Sequence, residues 1–302
     1  MEVAVMVDES KVNKVRQPIV VGDLTLAAFD LDYLMEDSTR KIIAEDWWEH
    51  SALFKTIEIQ VGLKPNGHDF DRIYYLLTEP IFHKLAKSLT QVVRWNRFVE
   101  QAGHGDMFRQ HNVLQHSYSS AYIAKQVATD LQWSKEDIKL ETMACESHDW
   151  PEGLRLLDIA YPDKVDEDDI TECWAMDHYL YNHCLSLKQA NKIMRAYMVQ
   201  YAVDGKAKLV KDFPERAQEQ LATLQDKQEV AWLFYFLERF GYFIYAVEQY
   251  LDYDYPYMLG DVLHNCWADM KAVMERVPGL DRVLMRPHKV KHLDEIYFHL
   301  LA

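Results

Sequence analysis

Residues 134–151, SKEDIKLETMACESHDWP, decide how the rest of the chain is read. Ser134 followed three residues later by Asp137 fits a capping box and marks a helix start. Leu140, Met143, Ala144, Ser147 and His148 then recur at i, i+3, i+4, i+7 and i+8, which puts them on one buried face. Pro151 sits just beyond as a stop signal. The stretch is a capped amphipathic helix that ends on His148-Asp149.

Working outward, the same periodicity predicts helices over 38–62, 78–101, 113–131, 171–187, 188–202 and 228–251. In 113–131, Ile123, Val127 and Leu131 are spaced four apart. The 228–251 segment is the longest and most apolar, with Leu233, Leu237, Phe240, Ile244, Val247 and Leu251 on one stripe. A Gln- and Glu-rich helix follows Pro214, and residues 159–170 read as an acidic loop. Only the first thirty residues read as strand, at 18–21 and 24–29 around a Gly22-Asp23 turn. The expected fold is mainly α: a helical bundle with a small N-terminal extension that carries short strands. The expected division is an extension at 1–90, a main domain at 91–270 and a tail at 271–302 packed on it.

Composition narrows the function classes. In 302 residues there are only 10 Gly and 9 Pro, which argues against turn-rich folds and low-complexity disorder. Lys and Arg number 33 against 48 Asp and Glu, a formal charge of −15. That balance disfavours a broad nucleic-acid or anionic-membrane surface, which needs clustered cations. It leaves room for a small phosphorylated substrate held by one or two local cations. Cys145, Cys173, Cys184 and Cys266 form no CxxC pair, as expected of reduced thiols in a cytoplasm. No signal-like start and no run of eighteen apolar residues point to a soluble, cytoplasmic protein. Assembly into a homo-oligomer stays open.

There are two His-Asp dipeptides. His68-Asp69 follows Pro-Asn-Gly in a loop and reads as a turn feature. His148-Asp149 closes the capped helix and is followed by Trp-Pro-Glu152. Upstream, Asn112-Val-Leu-Gln-His116-Ser opens another amphipathic helix, with His116 on the stripe of Ile123 and Val127. A His at one helix end and a His-Asp pair at the next converge if the helices pack antiparallel. Imidazoles and carboxylates holding a divalent metal leave open positions for water and a phosphoryl oxygen.

Asn112-Val-x-x-His116-Ser, His148-Asp149-x-x-Glu152 and Asp158 together resemble the HD-domain phosphohydrolase superfamily. Within it the pattern is most similar to the bacterial 5′-deoxynucleotidases, and more loosely to the HD-type deoxynucleoside triphosphohydrolases. Asn96-Arg97-Phe98 matches the Asn-Arg-aromatic element that those proteins carry ahead of the first His. The likeness spans roughly residues 94–250. It implies a metal-dependent hydrolase that removes phosphate or polyphosphate from a (deoxy)nucleotide, with one divalent ion, Co, Mn, Zn, Fe or Mg alike. The implied ligands are His116, His148, Asp149 and an acid on a later helix. Glu238 is the candidate for the last, because it and Arg239 are the only charges between Val230 and Val247, and a buried carboxylate needs a partner or a metal. Asp261 is the alternative. The likeness further implies Glu152 as general acid/base, Asp158 as a positioner of sugar or leaving oxygen, and Arg97 with Phe98 as the phosphate and substrate grip.

Two departures stand out: Glu238 where the family carries Asp, and Gln115 where the nucleotidases usually carry an acid. They keep a second class in view, an HD scaffold that binds a nucleotide or a partner protein without turnover. A third reading, a two-metal oxygenase or diesterase, would recruit His178 or His183. Asp30-Leu-Asp32 is similar to a haloacid-dehalogenase nucleophile motif, but the chain lacks the alternating strands and helices of that fold. Lys206, Lys208 and Lys211 read as a solvated face.

Overall fold

The computed structural model describes residues 20–21, 24–25, 31–63, 79–95, 109, 111–157, 159, 164–184, 186–203 and 207–301. Their architecture is an all-α bundle, preceded by one small hairpin. Strands β1 (Val20–Val21) and β2 (Leu24–Thr25) pair antiparallel, Val20 opposite Thr25 and Val21 opposite Leu24. Helix α1 (Asp37–Leu63) follows, then a 3-10 turn (Pro80–Phe82) running into α2 (His83–Leu89).

The next pair carries the fold's central motif. Asn112 caps α3 (Val113–Asp130): its side chain accepts from Gln115 N–H while the Gln115 side chain accepts from Asn112 N–H. Ser134 caps α4 (Lys135–Ser147), accepting from Asp137 N–H at 3.1 Å. This cap is not a reciprocal box, because the Asp137 carboxylate takes the Ser134 hydroxyl proton instead. A four-residue connection folds α4 back along α3, so the start of α3 meets the end of α4. Pro151 does not merely stop α4. It lies in the first turn of α5 (Trp150–Arg155), where a missing N–H costs nothing.

Helices α6 (Asp166–His183), α7 (Leu187–Tyr197) with a 3-10 turn (Met198–Tyr201), and α8 (Glu215–Ala222) form one flank. A 3-10 segment (Ala207–Asp212) lies before α8. Helix α9 (Gln228–Tyr253) runs through the middle, in contact with α1, α3, α4 and α10 (Pro256–Met274). By composition α9 is apolar enough to cross a bilayer, yet 78% of its most apolar window is buried within the bundle. Phe236, Phe240 and Phe243 are buried on α9, with Trp47 of α1 edge-on to Phe243 at 5.0 Å. Each such side chain contributes about 1.5–3 kcal/mol of burial, which ties α1 to the bundle. Short α11 (Leu280–Val283) leads to α12 (Pro287–Leu301), which packs on α10 and α1. Trp267 Nε1 donates to Asp294 at 3.0 Å across that contact.

Two expected helices end elsewhere. The one expected over 78–101 stops at Leu89; Val93 then pairs with Asn112 in an isolated antiparallel bridge. Arg94 N–H donates to His111 O and Val113 N–H to Val92 O, so β-branched Val92-Val93 is extended. The helix expected from 171 begins at Asp166. Four acids in its first turn, Asp166 to Asp169, are favourable beside the N-terminal end of the helix dipole, which the loop-like reading of an acidic run overlooked.

Candidate metal centre

The start of α3, the end of α4 and the middle of α9 bring His116, His148 and Glu238 together. Their ligand-capable atoms lie within 4.8 Å of one another, the one such group of three among the described residues. Glu238 Oε1 is 3.2 Å from His116 Nε2 and 2.9 Å from His148 Nε2. Asp149 adds Oδ2, 3.0 Å from His148 Nε2 and 3.6 Å from His116 Nε2. Three of the four expected ligands therefore form one group, and Asp149 borders it through the two imidazoles. Asp261 is not in the group; its side chain is buried on α10.

Local structure explains each aim. The Asn112 cap fixes the first turn of α3, and His116 N–H bonds to Asn112 O. His148 closes α4, where its Nδ1 donates to the Cys145 carbonyl at 2.9 Å and turns Nε2 into the site. A hydrogen bond at one ring nitrogen is the usual way to set an imidazole for ligation through the other. Gly241 leaves α9 smooth beside His116: an added Cβ would stand 3.5 Å from His116 Cε1.

The titratable groups of the centre act strongly on one another's charge. Burial disfavours charge on His148, but Asp149 and Glu238 outweigh it and push its pKa up to about 10. Burial and then Arg94 hold His116 low, against the pull of Glu238 and Asp149. Burial opposes charge on Asp149 and on Glu238 as well, yet the two imidazoles hold both carboxyls well below the usual range, Arg94 adding to the effect on Asp149. His148 Nε2 is fully buried beside two carboxylate oxygens without an aligned hydrogen bond to either. Two imidazole nitrogens and a carboxylate oxygen in one group, with the Asp149 carboxylate beside the imidazoles, are donor types that fit a divalent transition metal.

Arg94 is a buried side chain at the centre that sequence reading missed. It is buried, and its guanidinium pairs with Asp149 Oδ2. The Val93–Asn112 bridge puts it beside the start of α3; the expected continuous helix over 78–101 hid this. Tyr242 was also missed: its hydroxyl donates to Glu238 Oε2 at 3.1 Å, and its i+4 spacing from Glu238 on α9 was the available signal. Arg97, Phe98, Asn96 and Asp158 lie outside the described residues, as do His68 and Asp69.

Glu152 is buried on the first turn of α5, where its N–H bonds to Asp149 O. The i, i+3 relation puts it on the Asp149 side of that helix. Lys164, which pairs with Glu172 at 2.6 Å and Asp169 at 3.3 Å, interacts electrostatically with Glu152. His178 and His183 are exposed on α6 and join no group of ligands; His183 Nδ1 donates to Tyr179 O. Lys208 and Lys211 are exposed, and Lys208 pairs with Asp166.

A second buried charge cluster backs the centre. Arg109 donates to both Glu248 oxygens at 2.7 Å and also to Glu58. Glu58 Oε1 accepts from Ser119 and lies 2.9 Å from His111 Nε2. The departure at Gln115 has a structural use here. Its Nε2 donates to Glu58 O at 2.9 Å while its Oε1 completes the α3 cap, two bonds that a glutamate could not make together.

Comparisons with known protein families, curated proteins and solved structures gave no match.

Proposed function

We propose that this protein is a metal-dependent phosphohydrolase of the HD type, acting on a nucleotide phosphate. The observation that carries this reading is the convergence of His116 Nε2, His148 Nε2 and Glu238 Oε1 at one buried point, with Asp149 Oδ2 3.6 and 3.0 Å from the two imidazole nitrogens. When bound there, a divalent cation supplies Lewis acidity to water and to a phosphoryl oxygen. His116, His148, Asp149 and Glu238 hold it. Arg97 with Phe98 grips the phosphate, a role suited to a planar five-donor guanidinium, while Arg94 pairs with Asp149 and orients it. Glu152, one turn beyond Asp149, accepts and returns the proton at its carboxylate.

The test is direct. The purified chain is loaded with Mn2+ or Co2+ and offered each deoxynucleoside mono- and triphosphate, with release of phosphate, pyrophosphate and triphosphate followed. Release by wild type and none by His148→Ala is the expected result. One bound ion with no release from any substrate would instead favour the non-catalytic scaffold. Two ions per chain would favour a diesterase or oxygenase.

A further inference from the structure

Glu238 and Tyr242 stand one turn apart on α9, and the two oxygens of Glu238 have separate partners. Oε1 faces His116 and His148, at 3.2 and 2.9 Å, whereas Oε2 accepts the Tyr242 hydroxyl at 3.1 Å. The Tyr242 ring also lies against the His116 imidazole, with centroids 6.2 Å apart and planes at 22°. On the same ring rests the Arg94 guanidinium, 5.6 Å from its centroid, and Arg94 pairs with Asp149. One side chain thus lies against His116 and Glu238 of the group and against the cation that pairs with Asp149.

We propose that Tyr242 is a positioning residue that fixes Glu238 as a one-oxygen metal ligand. The inference rests on the metal-centre reading above and explains the departure at position 238. A glutamate is one methylene longer than aspartate, so its carboxylate has an extra torsion to order. Unrestrained, it can chelate through both oxygens or swing out of the site. A phenolic O–H on Oε2 removes both options, because that oxygen is engaged and the carboxylate plane is set. The position that a second oxygen would have filled stays available to water or substrate, as a hydrolytic site requires. Hydrogen bonds from outside the ligand set that orient a ligand typically change metal affinity 10–100-fold.

The experiment uses the full chain and Co2+ as the probe, with affinity measured by competition against a chelator. Tyr242→Phe keeps the ring on His116 and Arg94 and removes only the hydroxyl. It is expected to weaken Co2+ binding by about 10-fold or more, to alter the visible ligand-field spectrum of the bound ion, and to leave the melting temperature of the metal-free protein in place. In Glu238→Asp the shorter carboxylate is withdrawn from Tyr242, so adding Tyr242→Phe there is expected to cost nothing further. Tyr242→Phe with wild-type affinity and spectrum overturns the assignment, as does the same loss on both backgrounds. Wild-type protein that takes up no Co2+ overturns the metal-centre reading, and this inference with it.

Discussion

His148 Nδ1 donates to the carbonyl oxygen of Cys145 at 2.9 Å, and this bond leaves Nε2 as the nitrogen that faces Asp149 and Glu238. The last turn of α4 therefore sets the ring before any ligand arrives. His148→Ala removes a donor at the centre of the group, and metal content should fall from about one ion per chain to none. His178→Ala and His183→Ala should leave it unchanged. Full occupancy in His148→Ala, measured by elemental analysis, would discard the site.

Glu152→Gln isolates proton handling from ligation. The amide has nearly the same shape and volume, so the contacts of α5 survive. Metal content and nucleotide affinity should stay at wild-type levels while turnover falls on the order of 10²-fold or more. Steady-state kinetics beside metal analysis reads both. A variant with full turnover would pass the role to another acid, Asp158 first.

Gly153 tests how α5 is held. A Cβ built there would stand 2.6 Å from Leu89 Cδ2 and 2.7 Å from Leu89 Cγ, and Leu89 is fully buried. Only a hydrogen fits between α2 and the helix that carries Glu152. Gly153→Ala should destabilise the protein by about 1–3 kcal/mol. Leu89→Ala opens the missing space, so the double variant should lose less than the two single losses combined. Denaturant melts of the four proteins measure the coupling, and strict additivity would remove the clash.

The helix periods and the grouping of His116, His148 and Glu238 were legible from short stretches of sequence. Caps and apolar spacing depend on neighbours in the chain, and they located α3, α4 and α9; His116 and His148 stood out by their likeness to a known motif, and Glu238 as one of two charges in an apolar run. Arg94 was not legible. Its place depends on Val93 pairing with Asn112, nineteen positions on, and no local pattern announces such a bridge. The early start of α6 was missed because an acidic run reads alike as a solvated loop and as a helix N-terminus. Gln115 looked like a lost acid until Glu58 O stood opposite its Nε2.

Glu58 carries the last prediction, on stability against acid. Its side chain is buried between α1 and α3, bonded to Ser119 and paired with His111 and Arg109. Burial opposes its charge, but His111 and Arg109 outweigh that and hold its carboxyl far below the usual 4.5. A carboxyl depressed in the folded state binds its proton more readily when unfolded. Its stabilisation is therefore complete above the unfolded value and is lost as pH falls toward the folded one. Glu58→Gln should cost about 1–3 kcal/mol near neutrality, because Arg109 keeps Glu248 as a partner. Glu58 supports a proton on buried His111, so its loss also deepens the depression there, and the gap should grow from about pH 7 to about pH 5 before narrowing below about 4.3. Glu248 shares Arg109 and is itself pushed up by burial with Arg109 opposing, so the difference between the two proteins is the quantity to follow. Urea melts in parallel from pH 7 to pH 3 measure it. A gap that fails to narrow between about pH 4.3 and pH 3 would mean that Glu58 is not held charged by this cluster.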